Sequence, residues 1–314
     1  MAHSTPPPTA LLFSGQGSQY VGMGRSLYQS NQAARAIFDR ADDSLGYKLS
    51  ALCFEGPEEL LRQTRYTQPA LFVHEAAVLA ALGNPSAHAV AGHSLGEYTA
   101  LYAAGAFDFD SALRLVALRG ELMFTAGVEQ PGAMAAVIGL DDATVEEICA
   151  TATGTVVAAN YNAPGQVVIS GDRDAVQALL PRFKEAGARM VTELPVSGAF
   201  HSPLMAAARA RLEEAILHTP MQPPRVPVYM NVTGTAQCEI DTIRRLLIEQ
   251  LTAPVRWTAI LRAMYADGIR RFVEIGPRNV LQGLVKRTLG SDVEIAGIDT
   301  EEDLRNRHHL VTVE

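Results

Sequence analysis

The sequence predicts an α/β protein built on a parallel sheet with helices on both faces, interrupted once by a compact insertion. Three observations carry this reading. Short apolar runs near the start of the chain each stop at a glycine-rich loop and give way to a helical pattern, the grammar of a parallel sheet. Between about 130 and 197 the rhythm becomes strand, helix, strand, strand, helix, strand, which is the ferredoxin-like order. From 202 the first rhythm resumes.

In chain order, Thr9–Phe13 is an apolar strand halted by Ser14-Gly15-Gln16-Gly17-Ser18-Gln19. Helical periodicity covers 22–43 and 68–83. A second strand at 87–91 enters Gly92-His93-Ser94-Leu95-Gly96-Glu97, followed by helices over 98–104 and 109–125. The insertion reads as strands at 133–139, 155–160, 166–170 and 188–194, with helices at 141–152 and 172–186 and a turn at 161–165. Beyond it, helices are expected at 203–218, 241–251, 256–267 and 280–290, with strands at 225–231 and 271–275. The large domain is thus 9–129 with 198–300 and the subdomain 130–197, between a disordered tail at 1–8 and an ill-defined polar tail at 301–314.

Composition narrows the function. With 314 residues, 48% of them hydrophobic and 19% charged, the chain can bury a large core and is not disordered in bulk. Three cysteines (Cys53, Cys149, Cys238) lie far apart with no C-x-x-C pair, which reads as small buried hydrophobes in a reducing compartment. A formal charge of −8 with no basic run beyond pairs such as Arg244-Arg245 argues against nucleic acid. There is no secretory pattern at the start and no membrane-spanning apolar stretch, so a cytoplasmic protein is expected.

Gly92-His93-Ser94-Leu95-Gly96 is G-x-S-x-G between a strand and a helix, the context of a nucleophile elbow. The glycines on either side remove side chains that would collide in so sharp a turn. The turn lifts Ser94 Oγ from the sheet and aims the Leu95 amide at a developing oxyanion. The bland alternative is a helix-capping serine. A serine hydroxyl also needs a base. Among eight histidines, His201 lies in a loop at the junction of insertion and parent domain, where sites concentrate. His93 reads as loop packing, His74 and His88 have weaker context, and His3, His308 and His309 lie in the tails. No acid is marked as the third member: Asp172, Asp241 and Asp267 all suit caps or surface positions, and a carbonyl oxygen could orient the histidine instead.

One cation breaks its pattern. At about 100° per residue, Ala112, Leu115, Val116, Leu122 and Met123 share a side of the 109–125 helix, Arg114 and Glu121 fall opposite, and Arg119 falls amid the apolar side. A buried guanidinium should meet an anion. Two readings stay open, an internal salt bridge and a bidentate clamp on a substrate carboxylate. Nucleotide binding fails, because Tyr20 stands where a third glycine belongs and no Walker lysine follows. No metal-ligand spacing is present.

These residues together resemble the malonyl-CoA:acyl carrier protein transacylase family. The resemblance rests on 12–19, 92–97, Gly198-Ala199-Phe200-His201-Ser202, Asn231-Val232-Thr233-Gly234, Gln250, Pro254-Val255-Arg256-Trp257 and Glu274-Ile275-Gly276-Pro277, in family order over about 10–290. It implies an α/β-hydrolase-like large domain carrying the ferredoxin-like one, with the site in the cleft between them. It implies Ser94 as nucleophile, His201 as base, the amides of Gln16 and Leu95 as oxyanion hole, and Arg119 on the malonyl carboxylate. Gln250 would orient His201 through its main-chain carbonyl, accounting for the missing acid. Phe200, Asn160, Asn231 and Met123 match pocket positions, and Phe200 with Leu95 resembles the malonyl-selecting pattern.

The implied reaction is ping-pong transfer of malonyl from malonyl-CoA to the phosphopantetheine thiol of acyl carrier protein, in fatty acid or polyketide synthesis. No permanently bound cofactor and a monomer are expected. Both partners are anionic, so a local basic rim is needed, with Lys184, Arg189, Arg278, Lys286 and Arg287 as candidates. A serine hydrolase or thioesterase, and a non-catalytic scaffold, are the competing classes.

Overall fold

Alternate residues of β1 (Thr9–Phe13) feed two different cores. Leu11 and Phe13 join a cluster with Phe38, Phe72 and Val90, while Ala10 and Leu12 join Trp257, Ile260 and Phe272. A strand buried on both faces needs helices on both sides, and the chain supplies them. The computed structural model describes residues 6–196 and 198–311. After β1 come α1 (Arg25–Ser30), α2 (Gln32–Leu45), α3 (Leu49–Glu55), α4 (Glu58–Leu61) and α5 (Thr64–Ala81). Then follow β2 (Ala89–Gly92), α6 (Gly96–Ala103) and α7 (Phe109–Glu129).

The middle segment contains β3 (Gly132–Ile138), α8 (Asp142–Ala150), β4 (Val156–Ala163), β5 (Gln166–Asp172), α9 (Arg173–Glu185) and β6 (Met190–Glu193). Its antiparallel sheet has the order β4-β5-β3-β6 and its own core of Ala135, Val137, Ile169, Val176 and Phe183. The chain then returns through a 3₁₀ turn at Pro203–Met205 to α10 (Ala206–His218), β7 (Val228–Tyr229) and β8 (Ala236–Gln237). It finishes with α11 (Ile240–Glu249), α12 (Trp257–Ala266), β9 (Arg271–Ile275), α13 (Val280–Leu289), β10 (Glu294–Ile298) and α14 (Glu301–Arg307).

The larger sheet has the order β10-β9-β1-β2-β7-β8, parallel throughout except for β8. Phe13 is paired with both Gly92 and Ile275, so the loops after β1, β2 and β9 leave from one edge. The two sheets are tied where β4 meets the segment after α11: Val255 donates to the Ala159 carbonyl (2.8 Å) and accepts from the Tyr161 amide (2.9 Å).

Several expectations are corrected. The helix expected over 22–43 is broken at Asn31, whose side chain accepts from the Ala34 amide and starts α2 afresh. β4 runs on to Ala163, so the turn before β5 is tighter than expected. The strand expected at 225–231 shrinks to Val228–Tyr229. Near the C-terminus β10 pairs with β9 where no strand was expected, and the polar tail is ordered up to 311, with Thr300 and Asp303 in a reciprocal capping box that starts α14. At the other end, residues 1–5 lie outside the described residues, while Pro8 accepts from the amides of Arg270 and Arg271. Residues 197 and 312–314 also lie outside them. Cys53 and Cys149 are buried, but Cys238 is exposed. No described helix is long and apolar enough to cross a membrane.

Candidate active site

Ser94 follows β2 and adopts φ +52°, a left-handed conformation uncommon for a residue with a side chain. The glycines of the motif make this turn sterically feasible. A Cβ on Gly92 would stand 1.8 Å from the Gly96 carbonyl carbon, and one on Gly96 would stand 2.2 Å from the Phe13 oxygen. The His93 amide donates to Phe13 O (2.9 Å), bringing the elbow against the end of β1 and the Gly15-Gln16 loop. Ser94's own amide is held by Asn231 Oδ1 (2.7 Å), while Asn231 Nδ2 donates to the Gly92 carbonyl (2.7 Å).

His201 is brought to the elbow from 107 residues away, with Nε2 at 2.7 Å from Ser94 Oγ. It too is left-handed, at φ +57°. Its loop is fastened by Ser202, whose hydroxyl donates to the Ala199 carbonyl (2.6 Å) and accepts from the Leu204 amide (3.3 Å). His201 Nδ1 lies 2.9 Å from the main-chain oxygen of Gln250. A carbonyl only accepts, so Nδ1 carries the hydrogen and Nε2 is free to accept from the serine hydroxyl. Burial and the nearby Arg119 charge depress His201 to about 3, which leaves the imidazole neutral at pH 7.

Arg119 is 1% exposed, while Arg114 and Glu121 on the same helix face solvent. Its Nη1 donates to Gln68 Oε1 (2.7 Å), and its Nη2 donates to Ser94 Oγ (3.0 Å) and Gln250 Oε1 (3.0 Å). Among the described residues it enters no ion pair, and its Nε has no partner. Of the two open readings, the internal salt bridge is therefore not found. A cavity of about 150 Å³ opens beside it, lined by Leu95 and by the polar residues Gln16, Ser94, Arg119, Asn160 and His201. Met123, Met134, Val168, Leu194 and Phe200 form its apolar side.

A serine hydroxyl, a neutral imidazole and a buried guanidinium outside any ion pair, meeting in one small cavity, are equipped to transfer an acyl group that bears a negative charge. The acyl transferase domain family matches residues 10–309. The chain belongs to that family. This acyltransferase is 44% identical to a malonyl CoA-acyl carrier protein transacylase of Bacillus subtilis over 283 residues, covering 88% of this chain and 89% of the relative. It is also 44% identical over 292 residues to the polyketide biosynthesis protein ThaF of Burkholderia thailandensis, of which it spans 25%. The solved malonyl CoA-acyl carrier protein transacylase of Coxiella burnetii superimposes with a TM-score of 0.94 at 40% identity, over 99% of this chain and 100% of the other. A malonyl-transacylase solved in complex with its type II PKS acyl-carrier protein gives 0.91 at 38% identity, over 96% and 99%. The mixed α/β fold with two sheets is that of these structures.

Several partners in the acyltransferase site carried no sequence signal. Gln68 sits on the almost wholly buried α5 and spans Arg119 and Met123 Sδ, to which its Nε2 donates at 3.1 Å. Asn162 pairs with His93 Nε2 at 2.8 Å, and the His93 ring lies 5.4 Å from the Trp257 ring. Gln250 was expected through its main chain, yet its side chain is equally engaged. Its Nε2 donates to the Ser94 carbonyl (2.9 Å) and to Glu97 Oε1 (3.0 Å). The acids considered as a third member are elsewhere: Asp172 accepts from the Thr155 amide and Asp267 from the Tyr229 hydroxyl. Lys184, Arg189, Arg278, Lys286 and Arg287 are all exposed.

Proposed function

We propose that this acyltransferase moves a malonyl group from malonyl-CoA to the phosphopantetheine thiol of an acyl carrier protein through a malonyl-serine intermediate. The observation that carries the reading is the placement of Ser94 Oγ between His201 Nε2 (2.7 Å) and Arg119 Nη2 (3.0 Å). His201 takes the Ser94 proton as Oγ attacks the thioester carbonyl. With the Ser94 amide already bound to Asn231, the oxyanion falls to the amides of Gln16 and Leu95. His201 then protonates the departing CoA thiol. In the second half-reaction the carrier thiol gives its proton to His201 and attacks the malonyl ester. Throughout, Gln250 O holds the Nδ1–H tautomer in place of an acid. Arg119 pairs with the free malonyl carboxylate, which acetyl-CoA lacks. Malonyl-CoA and the carrier's phosphopantetheine are substrates here, with no resident cofactor.

The same reading divides the chain into an α/β-hydrolase-like domain (9–129 and 198–300) and a ferredoxin-like subdomain (130–197), supported by the order β4-β5-β3-β6. It also takes the chain as a cytoplasmic monomer, with the exposed basic residues named above meeting the anionic carrier.

The test is the intact mass after mixing with malonyl-CoA. A gain of about 86 Da, lost in Ser94→Ala and discharged by carrier protein, is expected for a ping-pong transfer. Malonate accumulating without carrier would identify a hydrolase and overturn the proposal.

A further inference from the structure

Glu97, the residue just after the elbow motif, takes no part in the reaction just described, yet it is wholly buried beside the reacting groups. Its Oε2 accepts from the Asn231 amide (2.5 Å) and its Oε1 from Gln250 Nε2 (3.0 Å). Gln250 Oε1 in turn accepts from Arg119 Nη2 (3.0 Å). One amide thus bridges a carboxyl and a guanidinium, donating to the first and accepting from the second. Both Glu97 oxygens face donors, an arrangement that suits the ionised form.

Arg119 therefore has a counter-charge one amide away. A substrate carboxylate arriving at the guanidinium brings a second anion into the same water-poor site, where two like charges oppose each other's ionisation. We propose that Glu97 is a positioning residue that competes with the acyl carboxylate for Arg119. Ionised, it holds the guanidinium through Gln250; protonated, it releases it. The preference for carboxylate-bearing acyl groups over neutral ones then falls as pH rises through the Glu97 titration. The proton comes from solvent and binds one Glu97 oxygen, with no other bond made or broken. The site's charge is zero with Arg119 cationic and Glu97 anionic. It is zero again with Glu97 neutral and the acyl carboxylate bound.

Burial raises Glu97 to about 8, against the opposing pull of Asn231, Arg119 and Gln250, so both forms are accessible near neutral pH. The groups around it are Arg119 of α7, its neighbour Tyr98, whose ring centroid is 5.6 Å from the guanidinium carbon, and His201, which responds to Arg119 and His93. Glu75 of α5 accepts from Thr99 of α6, the helix that carries Glu97, and is also raised to about 8. A variant must therefore separate the two carboxyls.

The inference rests on the proposed function, and one experiment separates their failures. Acylation rates from malonyl-CoA and from acetyl-CoA are measured by intact mass from about pH 6.5 to about 9.5 and expressed as a ratio, which cancels ionisations common to both donors. In the unaltered protein the ratio should hold below about pH 8 and fall toward tenfold per unit above it. In Glu97→Gln it should be flat, and Glu97→Asp should restore the fall. A flat ratio in the unaltered protein, or an undiminished fall in Glu97→Gln, overturns the competition while leaving malonyl transfer intact. The first of these needs no variant, so misfolding of Glu97→Gln does not protect the idea. No acyl-enzyme from either donor at any pH overturns the proposed function and this inference with it.

Discussion

Arg119 Nη2 donates to Ser94 Oγ at 3.0 Å, so the cation touches the serine hydroxyl directly. The serine hydroxyl donates to His201 and accepts from Arg119, which fixes its rotamer. On the proposed reading, the guanidinium that restrains the serine also takes the substrate carboxylate. That reading links loading of a carboxylate-bearing acyl group and freeing of the serine through one side chain.

Replacing Arg119 with alanine is expected to abolish that link selectively. Each hydrogen bond to a charged group is worth about 1.5–3 kcal/mol, so losing a bidentate pair should lower malonyl kcat/KM by about 10²–10⁴. Acetyl transfer, which makes no such pair, should change by less than about tenfold on the same scale. Steady-state kinetics with both donors checks this, and equal losses would remove Arg119 from its assigned role.

Gln250→Ala separates a main-chain task from a side-chain one. The carbonyl that accepts from His201 remains, so acetyl transfer should persist within about tenfold. The side-chain links to Arg119 and Glu97 vanish, so the malonyl-to-acetyl ratio of kcat/KM should fall. A collapse of both reactions together would place the side chain in His201 orientation instead.

The depressed His201 gives a signed pH prediction. With its folded value near 3, acylation should show no loss of base between pH 7 and pH 5, measured as kcat/KM against pH. An acid limb centred near about 6.5, the ordinary histidine value, would contradict this.

Stability should run differently. Glu75 and Glu97 are raised to about 8 and Glu274 to about 7, so the folded chain keeps protons that the unfolded chain releases above about 4.5. Stability from these three is lost as pH rises through those values. His201 acts oppositely, because its folded value is depressed: its contribution is present above about 6.5 and lost as pH falls. From pH 6.5 to pH 8.5 only the carboxyls act among these four, and the melting temperature is expected to drop across that interval. Calorimetry at matched ionic strength checks the sign.

Gly92→Ala and Gly96→Ala should fail structurally before they fail kinetically. The added methyl meets backbone at 1.8 Å and 2.2 Å, and backbone cannot rotate away as a side chain can. A loss of about 3 kcal/mol or more is expected, read from urea unfolding midpoints. Asn231→Ala leaves the Ser94 amide and Gly92 carbonyl without partners, at about 1–3 kcal/mol each. Near-native stability in any of the three would show that the elbow can relax.

Much was legible because it is written between neighbours. Arg119 was placed on the apolar side of its helix by periodicity alone, and it is 1% exposed. The elbow was readable because a sharp strand-to-helix turn demands glycine at two fixed offsets. β10 was missed because it exists by pairing with β9, and α14 because the capping box at Thr300 and Asp303 is a weak signal without a following apolar run.

The sequence by itself determined which local units form, and which serine, histidine and arginine deserved suspicion. Only the tertiary structure decided that they meet: Ser94 and His201 are 107 residues apart, and Arg119 and Gln250 are 131. Backbone sterics and helical period act over a few residues and so leave marks in the sequence. A hydrogen bond between distant loops depends on strand order and register, which the whole hydrophobic core selects. That is why Gln68, Glu97 and the side chain of Gln250 acquired their partners only in three dimensions.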